Sequence, residues 1–360
     1  MTESDFRLPD FRMKSSNGSV TWRAPSNIAL VKYWGKQQGQ LPANPSVSFT
    51  LSQCATTTTL SYEKLTQPSD GFSFDLVFEC SLSKAFRPKI NTFFERVQPY
   101  FPFLSDYHFT IQTANTFPHS SGIASSASSM SALALCLMSM EKTGRPDMTD
   151  AFFYTKASFT ARLGSGSACR SVTGNPVVWG AHPGIEGSSD LYGIPYPHNI
   201  HEVFNNYQDT ILLVDSGQKQ LSSSAGHQLM HDHPFAGKRF EQARDNLSTL
   251  KTAFRDGDLE SFIRVVESEA LTLHAMMMTS RPYFILMQPA TLSIIRLLWE
   301  FRADTGLHPC FTLDAGANVH LLYPEREKEQ ILAFINKKLV AYCENERYIC
   351  DEVGSGAEEL

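Results

Sequence analysis

The groups best suited to chemistry lie in a few stretches of small residues. In PHSSGIASSAS, residues 118–128, His119, Ser120, Ser121 and Gly122 form a short loop. Ala124, Ser125, Ser126, Ala127 and Ser128 follow, and the run turns apolar at Leu133, Leu135 and Leu137. Small side chains at a helix start leave the first-turn N–H groups open to an anion, with the positive end of the helix dipole behind them. Phosphate is the natural ligand. The serine hydroxyls add donors, and Ser126 is a candidate ligand for a phosphate-bound Mg²⁺. The loop matches neither GxxxxGK[ST] nor GxGxxG, which excludes two common nucleotide motifs. A serine-rich helix start chosen for close packing is the competing reading.

Lys32 and Lys36 flank the aromatic pair Tyr33 and Trp34. Four residues apart, they share one face of a helix or of a strand, so both ammonium groups can address one anion; a solvated charged edge is the bland alternative. Arg170 emerges from GSGSACRSVTGNPVVWG (164–180), where small residues permit close backbone approach and a planar guanidinium suits a carboxylate or phosphate. The alternative for Arg170 is a structural pairing with a core carboxylate. Asp314 sits in FTLDAGANVHLLYP between two β-type runs, beside Ala315 and Gly316, where a carboxylate reaches a cleft without bulky neighbours. Lys219, Ser222, Ser223 and Ser224 form a second candidate anion loop. His227 and His231 have HxxxH spacing and His233 follows, but a third ligand type is missing nearby and no metal centre is expected.

The elements that must position these groups read as a mixture of strands and helices. Val20, Trp22 and Ala24 alternate as a strand that Pro25 and Ser26 interrupt, and VSFTLSQ and TTTTLSY read as two further strands. Strands are also expected over 107–115 and 209–215. Helices are expected over 84–100, 150–163, 240–256, 259–278, 289–305 and 325–342, with Met276–Met278 as core packing. Residues 180–205, rich in Gly, Pro, Ser, His and Asn, mark a domain boundary. The chain divides into a flexible arm (1–19), an N-terminal domain (20–200), a C-terminal domain (201–345) and a C-terminal tail (346–360) whose last residues, GSGAEEL, read as frayed and acidic.

Composition narrows the function classes. A chain of 360 residues exceeds one ordinary core, and 42% apolar with 19% charged residues describes a globular protein. The net charge of −6, without a basic stripe, excludes a nucleic-acid surface. Seven scattered cysteines without CxxC spacing suit reduced thiols in the cytoplasm and argue against zinc. The N-terminus has no apolar core of a signal peptide, and no stretch is long and apolar enough to span a membrane.

Taken together, APSNIALVKYWGK, PHSSGIASSAS, GSGSACRS, LSSSAG, LHAMMMTS and TLDAGANV resemble, in order and spacing, the GHMP superfamily of small-molecule kinases and within it the diphosphomevalonate decarboxylase family. The resemblance implies an α+β chain with an N-terminal ribosomal protein S5 domain 2-like, ATP-binding domain, a C-terminal α+β domain, and an active site in the cleft between them. It also implies ATP with Mg²⁺, a cytoplasmic homodimer, and ATP-dependent decarboxylation of mevalonate 5-diphosphate to isopentenyl diphosphate. By correspondence Asp314 orients the 3-hydroxyl, Lys32 neutralises charge during phosphoryl transfer, and Arg170 holds the substrate carboxylate. The same correspondence puts the diphosphate on Tyr33, Lys36, Ser165, Gly166, Ser167, Ser222 and Ser223, and the ATP phosphates on residues 120–126. An aspartate that ionises near pH 4 is a weak base toward an alcohol, so its value lies in positioning.

The chain departs from the family pattern at Gln37 and Gln38, where an Arg-Asp pair is common, at Ser224, where some members carry a basic residue, and at Ala317, where proline is frequent. The loop reads PHSSG where PTAAG is common. The changes at 37, 38 and 224 weaken a diphosphate grip and keep mevalonate or its 5-phosphate open as substrates. A 3-kinase and a non-catalytic binding protein of the same fold are the alternatives.

Overall fold

The computed structural model describes the chain apart from residues 9–10, 80, 83–85, 119–122, 175 and 216–222 and the side chains of 223 and 224. The first lobe holds β1 (Asn17–Val31), β2 (Ser46–Lys64), β3 (Ser73–Phe78), β4 (Ser81–Leu82), α1 (Arg87–Val97), β5 (Tyr107–Asn115), α2 (Ser125–Gly144), α3 (Asp150–Gly164), β6 (Val177–Trp179) and β7 (Ile194–Pro195). The second holds β8 (Gln208–Leu212), α4 (Ser223–Gln228), α5 (Ala236–Asp256), α6 (Leu259–Met278), α7 (Pro289–Thr305), β9 (Cys310–Thr312), β10 (Val319–Tyr323), α8 (Lys328–Phe334) and β11 (Tyr348–Glu352), and β12 (Glu358–Glu359) returns to the first. Sheet orders are β12-β1-β2-β5-β3-β4, with β6 and β7 beside β2, and β11-β8-β10-β9.

β1 runs through Pro25 and Ser26 as one strand, contrary to the interruption expected there. The proline falls at a register shift between Pro25 and Asn27, where a missing N–H is tolerated. β2 is likewise one strand of 19 residues where two were expected, because it changes partners along its length. Ser46–Ser48 pair with β6, and Thr56–Lys64 with β5. Between them the Asp351 carboxylate accepts the backbone N–H groups of Ser52, Gln53 and Cys54 at 2.7–2.9 Å. An acidic side chain of β11 thus takes over the ladder's role where β2 has neither β6 nor β5 beside it.

From Thr56 to Tyr62, buried and half-buried residues of β2 alternate, so one face packs on α2 and α3. From Ser46 to Leu51 every residue is buried. There Ile28, Leu30, Val47 and Phe49 share a single apolar cluster with Leu247, Phe254 and Phe262 of the second lobe. The core therefore crosses between the lobes and fixes the cleft.

Both chain ends correct the expectation. Phe6, in the arm expected to be flexible, is fully buried and stacks on Phe159 at 4.5 Å. The acidic GSGAEEL end is paired rather than frayed, with β12 on β1 and Arg23 and Glu358 at 3.3 Å, and just before it β11 adds an edge to the second sheet. The last helix, expected over 325–342, is broken into a 3₁₀ turn, α8, a π turn (Ile335–Leu339) and another 3₁₀ turn, which keeps Ile331, Ile335 and Leu339 buried. Among the described residues no helix is long and apolar enough to cross a membrane.

Candidate active site

A cavity of about 500 Å³ opens where the two lobes meet, and Lys32, Lys36, Arg170 and Asp314 all line it. Lys32 follows the last residue of β1, inside the shared core. Its side chain is 2% exposed, and Nζ donates to Asp314 Oδ1 at 2.9 Å, whereas the aspartate is 29% exposed. The ammonium is thus locked and the carboxylate open to the cavity. Asp314 is delivered by β9, and the turn after it is closed by Gly316 N–H to the Asp314 carbonyl at 2.7 Å. His274 Nε2 of α6 donates to the same carbonyl at 3.1 Å, and burial lowers that imidazole's pKa to about 4, so it acts as a neutral donor.

Residues invisible to motif reading hold Lys32 in place. Its N–H donates to Glu269 Oε2 at 2.8 Å, and Arg239 grips the same carboxylate at 2.5 and 3.0 Å while also reaching the Lys32 carbonyl at 3.2 Å. Asn44 donates to that carbonyl at 2.9 Å. Glu269 on α6 and Arg239 on α5 are at helical spacing within apolar faces, and only their complete burial distinguishes them from surface charges.

Arg170 is the other fixed cation. Nε donates to Ser48 Oγ and Nη1 to Ser46 Oγ, both at 2.6 Å, and Nη2 reaches Asn27 Oδ1 at 3.5 Å. No carboxylate among the described residues lies within ion-pair distance, which removes the structural-pair alternative. Burial draws its pKa below the ordinary arginine value, but a guanidinium stays charged. A buried cation held by neutral hydroxyls at a polar cavity has the chemistry to receive an anion.

Tyr33 packs between Trp179 and His227 at centroid distances of 4.6 and 4.1 Å, and burial holds its phenol protonated. Gly166 must be glycine, because a Cβ there would lie 2.9 Å from the Tyr33 ring and 3.0 Å from Trp179. Ser165 and Ser167 flank it on the cavity wall, with Ser165 Oγ 3.3 Å from Ser126 Oγ. Lys36 Nζ donates to Gln40 at 2.7 Å, and burial and Arg96 lower its pKa. Lys32 and Lys36 do line one cavity, but from a strand end and the loop beyond it rather than from one regular element.

Ala124, Ser125 and Ser126 line the cavity at the start of α2, with Ala124 at φ 48°. Ser120, Ser121, Gly122, Lys219 and Ser222 lie outside the described residues, as do the side chains of Ser223 and Ser224. An adjoining apolar pocket of about 70 Å³, lined by Leu76, Phe78, Phe86 and Ile111, shares Ser125 and Ser126 with the main cavity. Its residues come from β2, β3, α1, β5 and α2, so no local motif announces it. Sequence reading also missed His227 as a cavity residue; it noticed only the histidine spacing.

Two family models match the chain: the diphosphomevalonate decarboxylase-like N-terminal domain over residues 24–190 and the mevalonate 5-diphosphate decarboxylase C-terminal domain over 210–356. Diphosphomevalonate decarboxylase of Ganoderma lucidum is 30% identical, covering 88% of this chain and 81% of its own. That of Aspergillus fumigatus is 29% identical, covering 88% and 79%. Among solved structures, mevalonate diphosphate decarboxylase of Staphylococcus aureus superposes with a TM-score of 0.81 at 26% identity, over 97% of this chain and 100% of that one. MDDEF in complex with MVAPP, AMPPCP and magnesium superposes with a TM-score of 0.80 at 26% identity, over 96% and 99%. With both lobes matched in order by the family models and a relative 30% identical over most of both chains, this chain belongs to the diphosphomevalonate decarboxylase family.

Proposed function

We infer that this chain is an ATP-dependent decarboxylase that converts mevalonate 5-diphosphate to isopentenyl diphosphate, with release of ADP, phosphate and carbon dioxide. The observation that carries the mechanism is the Lys32–Asp314 pair at 2.9 Å lining one cavity with Arg170, a buried guanidinium without a carboxylate partner among the described residues.

A tertiary hydroxyl is a poor leaving group, so the 3-oxygen first bonds to the γ-phosphorus as the bond from phosphorus to ADP breaks. Asp314 orients that hydroxyl and accepts its proton as the new bond forms, with Lys32 fixing the carboxylate and offsetting charge. The C3–O bond to phosphate then breaks together with the bond from C2 to the carboxylate carbon. The electron pair of the second becomes the new C=C bond, and phosphate and carbon dioxide leave. Arg170 holds the carboxylate in the alignment this step requires.

The residues present fit the nucleotide. Ser125 and Ser126 at the α2 start suit phosphates, and the adjoining apolar pocket at Leu76, Phe78 and Ile111 suits a purine ring. Mg²⁺ bound with ATP neutralises charge on the transferring phosphoryl group. Ser126, at the start of α2 on the cavity wall, would be the protein ligand offered to the ion that accompanies the phosphates. Tyr33, Lys36, Ser165, Gly166, Ser167, Ser222 and Ser223 take the 5-diphosphate in this reading.

The same reading treats the N-terminal lobe as ribosomal protein S5 domain 2-like, supported by the parallel β3–β5 pair within an otherwise antiparallel sheet backed by α2 and α3. It places the lobe division near residues 200–201 and takes the enzyme to be a cytoplasmic homodimer that needs neither nucleic acid nor membrane. Sedimentation of the purified chain tests the dimer.

The activity is tested by measuring ADP and CO₂ release side by side with Mg·ATP and three acceptors: mevalonate, its 5-phosphate and its 5-diphosphate. Equal release of both products, efficient only with the diphosphate, is expected. ADP without CO₂ makes the chain a 3-kinase. Preference for the monophosphate makes the departures at Gln37, Gln38 and Ser224 functional.

A further inference from the structure

Among the cavity-lining groups, His227 is the one the mechanism leaves unused. It lies on α4, is 8% exposed, and is stacked against Tyr33 and Trp34 at centroid distances of 4.1 and 4.9 Å. Its Nδ1 accepts the N–H of Gly35 at 3.0 Å. That bond fixes the tautomer: a ring nitrogen that accepts carries no proton, so in the neutral imidazole the proton is on Nε2. Nε2 has no protein partner among the described residues. The result is a rigid, neutral N–H donor on the wall that also carries Tyr33, Lys36, Ser165, Ser167 and Arg170.

We propose that His227 is a substrate-binding residue whose Nε2–H donates to the 5-diphosphate of mevalonate 5-diphosphate, a proposal that rests on the activity inferred above. Three observations converge on it. A buried donor costs free energy unless a ligand satisfies it, and the ring is held by stacking and the Gly35 bond rather than by any partner for that donor. The phosphate side of this reading already comprises Lys36 and Tyr33, the residues on either side of the Trp34–Gly35 segment to which the ring is tied. Finally, His227 lines the same cavity as Ser165 and Ser167, which the proposed function assigns to the diphosphate.

Protonation does not supply this donor. Burial, with Lys36 and Arg170 nearby, lowers the His227 pKa to about 3, and a proton on Nδ1 would abolish the bond from Gly35. Lys36 and Arg170 are the cations acting on it, and Tyr33 is the titratable group stacked on it. His227 therefore contributes direction, and Lys36 contributes charge.

The test begins with the native enzyme labelled with ¹⁵N-histidine and titrated with mevalonate 5-diphosphate in the absence of nucleotide. The Nε2–H resonance of His227 is expected to move downfield on saturation while Nδ1 keeps the shift of an unprotonated, accepting nitrogen. In parallel, His227→Phe, which keeps the stack and removes the donor, is expected to raise KM for the diphosphate at least tenfold. Over the same comparison kcat falls less than threefold and KM for ATP moves less than twofold. His227→Gln, which returns an N–H at similar reach, is expected to recover at least half of the loss on a logarithmic scale.

An Nε2–H resonance unmoved at saturating substrate overturns the proposal. So does a His227→Phe enzyme whose two KM values rise together, because that is the signature of a merely structural ring. Should the variants fail to fold, the native titration alone decides. Native enzyme that binds the diphosphate through His227 yet releases neither ADP nor CO₂ refutes the activity and leaves the binding role standing.

Discussion

Among the described residues, two buried lysines, Lys156 and Lys32, each pair with a carboxylate, and the pairs differ in the carboxylate's exposure. Lys156 and Glu141 meet at 2.6 Å with both side chains fully buried between α2 and α3, whereas Lys32 and Asp314 meet at 2.9 Å with the aspartate 29% exposed. In the sealed pair every polar atom has a protein partner: Lys156 also donates to the Tyr100 carbonyl at 3.1 Å, and Glu141 also receives Arg145 at 3.0 Å. Burial lowers the Lys156 pKa to about 8 and raises that of Glu141, so each would be costly without the other. In the open pair only the ammonium is sealed, and the carboxylate faces the cavity. The same two functional groups make a sealed strut in one place and line a cavity in the other, and access to that cavity is what separates them.

Asp314→Asn attacks the open pair and carries the largest expected effect. Turnover should fall by about three orders of magnitude or more, roughly 4 kcal/mol of transition-state stabilisation, with nucleotide affinity retained. A loss of less than about tenfold in single-turnover ADP formation would take Asp314 out of the reaction.

Glu141→Leu attacks the sealed pair and should cost stability instead. It strands a buried ammonium against the Tyr100 carbonyl and the Phe101 ring, at an expected cost of about 3–5 kcal/mol in denaturant unfolding. The double variant Glu141→Leu/Lys156→Met should recover most of that loss, since a sealed pair is replaceable by apolar groups of similar volume. Failure to recover would mean that the pair also specifies how α2 packs on α3.

Arg170→Ala tests the cavity cation that has no carboxylate. We expect kcat/KM for mevalonate 5-diphosphate to fall about 100-fold, close to 2.7 kcal/mol, with ATP affinity intact. An unchanged substrate profile in competition assays would make Arg170 a structural residue tied to Ser46 and Ser48.

The smallest expected effect concerns His274, the neutral anchor of the Asp314 carbonyl. Its folded pKa of about 4 lies below the ordinary 6.5. Between those values the unfolded chain binds the proton and the folded chain does not, so stability rises with pH across that window and is lost on acidification. At pH 5.5 the cost is about 1.4 kcal/mol. His274→Gln should flatten the fall in unfolding free energy between pH 6.5 and 4 by close to one proton; an unchanged slope would show that another group carries it.

How much of this was legible in the sequence depends on range. Helices at 259–278 and 289–305 and the strand at 107–115 were readable, because apolar periodicity is a local signal. The continuous β1 and β2 were not. Proline and a change of polarity look like breaks until a bulge, a partner switch and the distant Asp351 carboxylate are seen to bridge them. Phe6 and the acidic tail misled for a related reason: what docks them is far away in sequence, on Phe159 and on β1.

The amino-acid sequence by itself determined the family and the order of the motifs, and through that resemblance it singled out Lys32, Arg170 and Asp314 as the set proposed to react. Tertiary structure alone decided which lysine is locked and which carboxylate is open, that Arg170 has no carboxylate partner among the described residues, and that Glu269, Arg239, His274 and His227 belong to the site. Burial and pairing arise between elements distant in sequence, here across a core shared by the two lobes, and no local pattern encodes them.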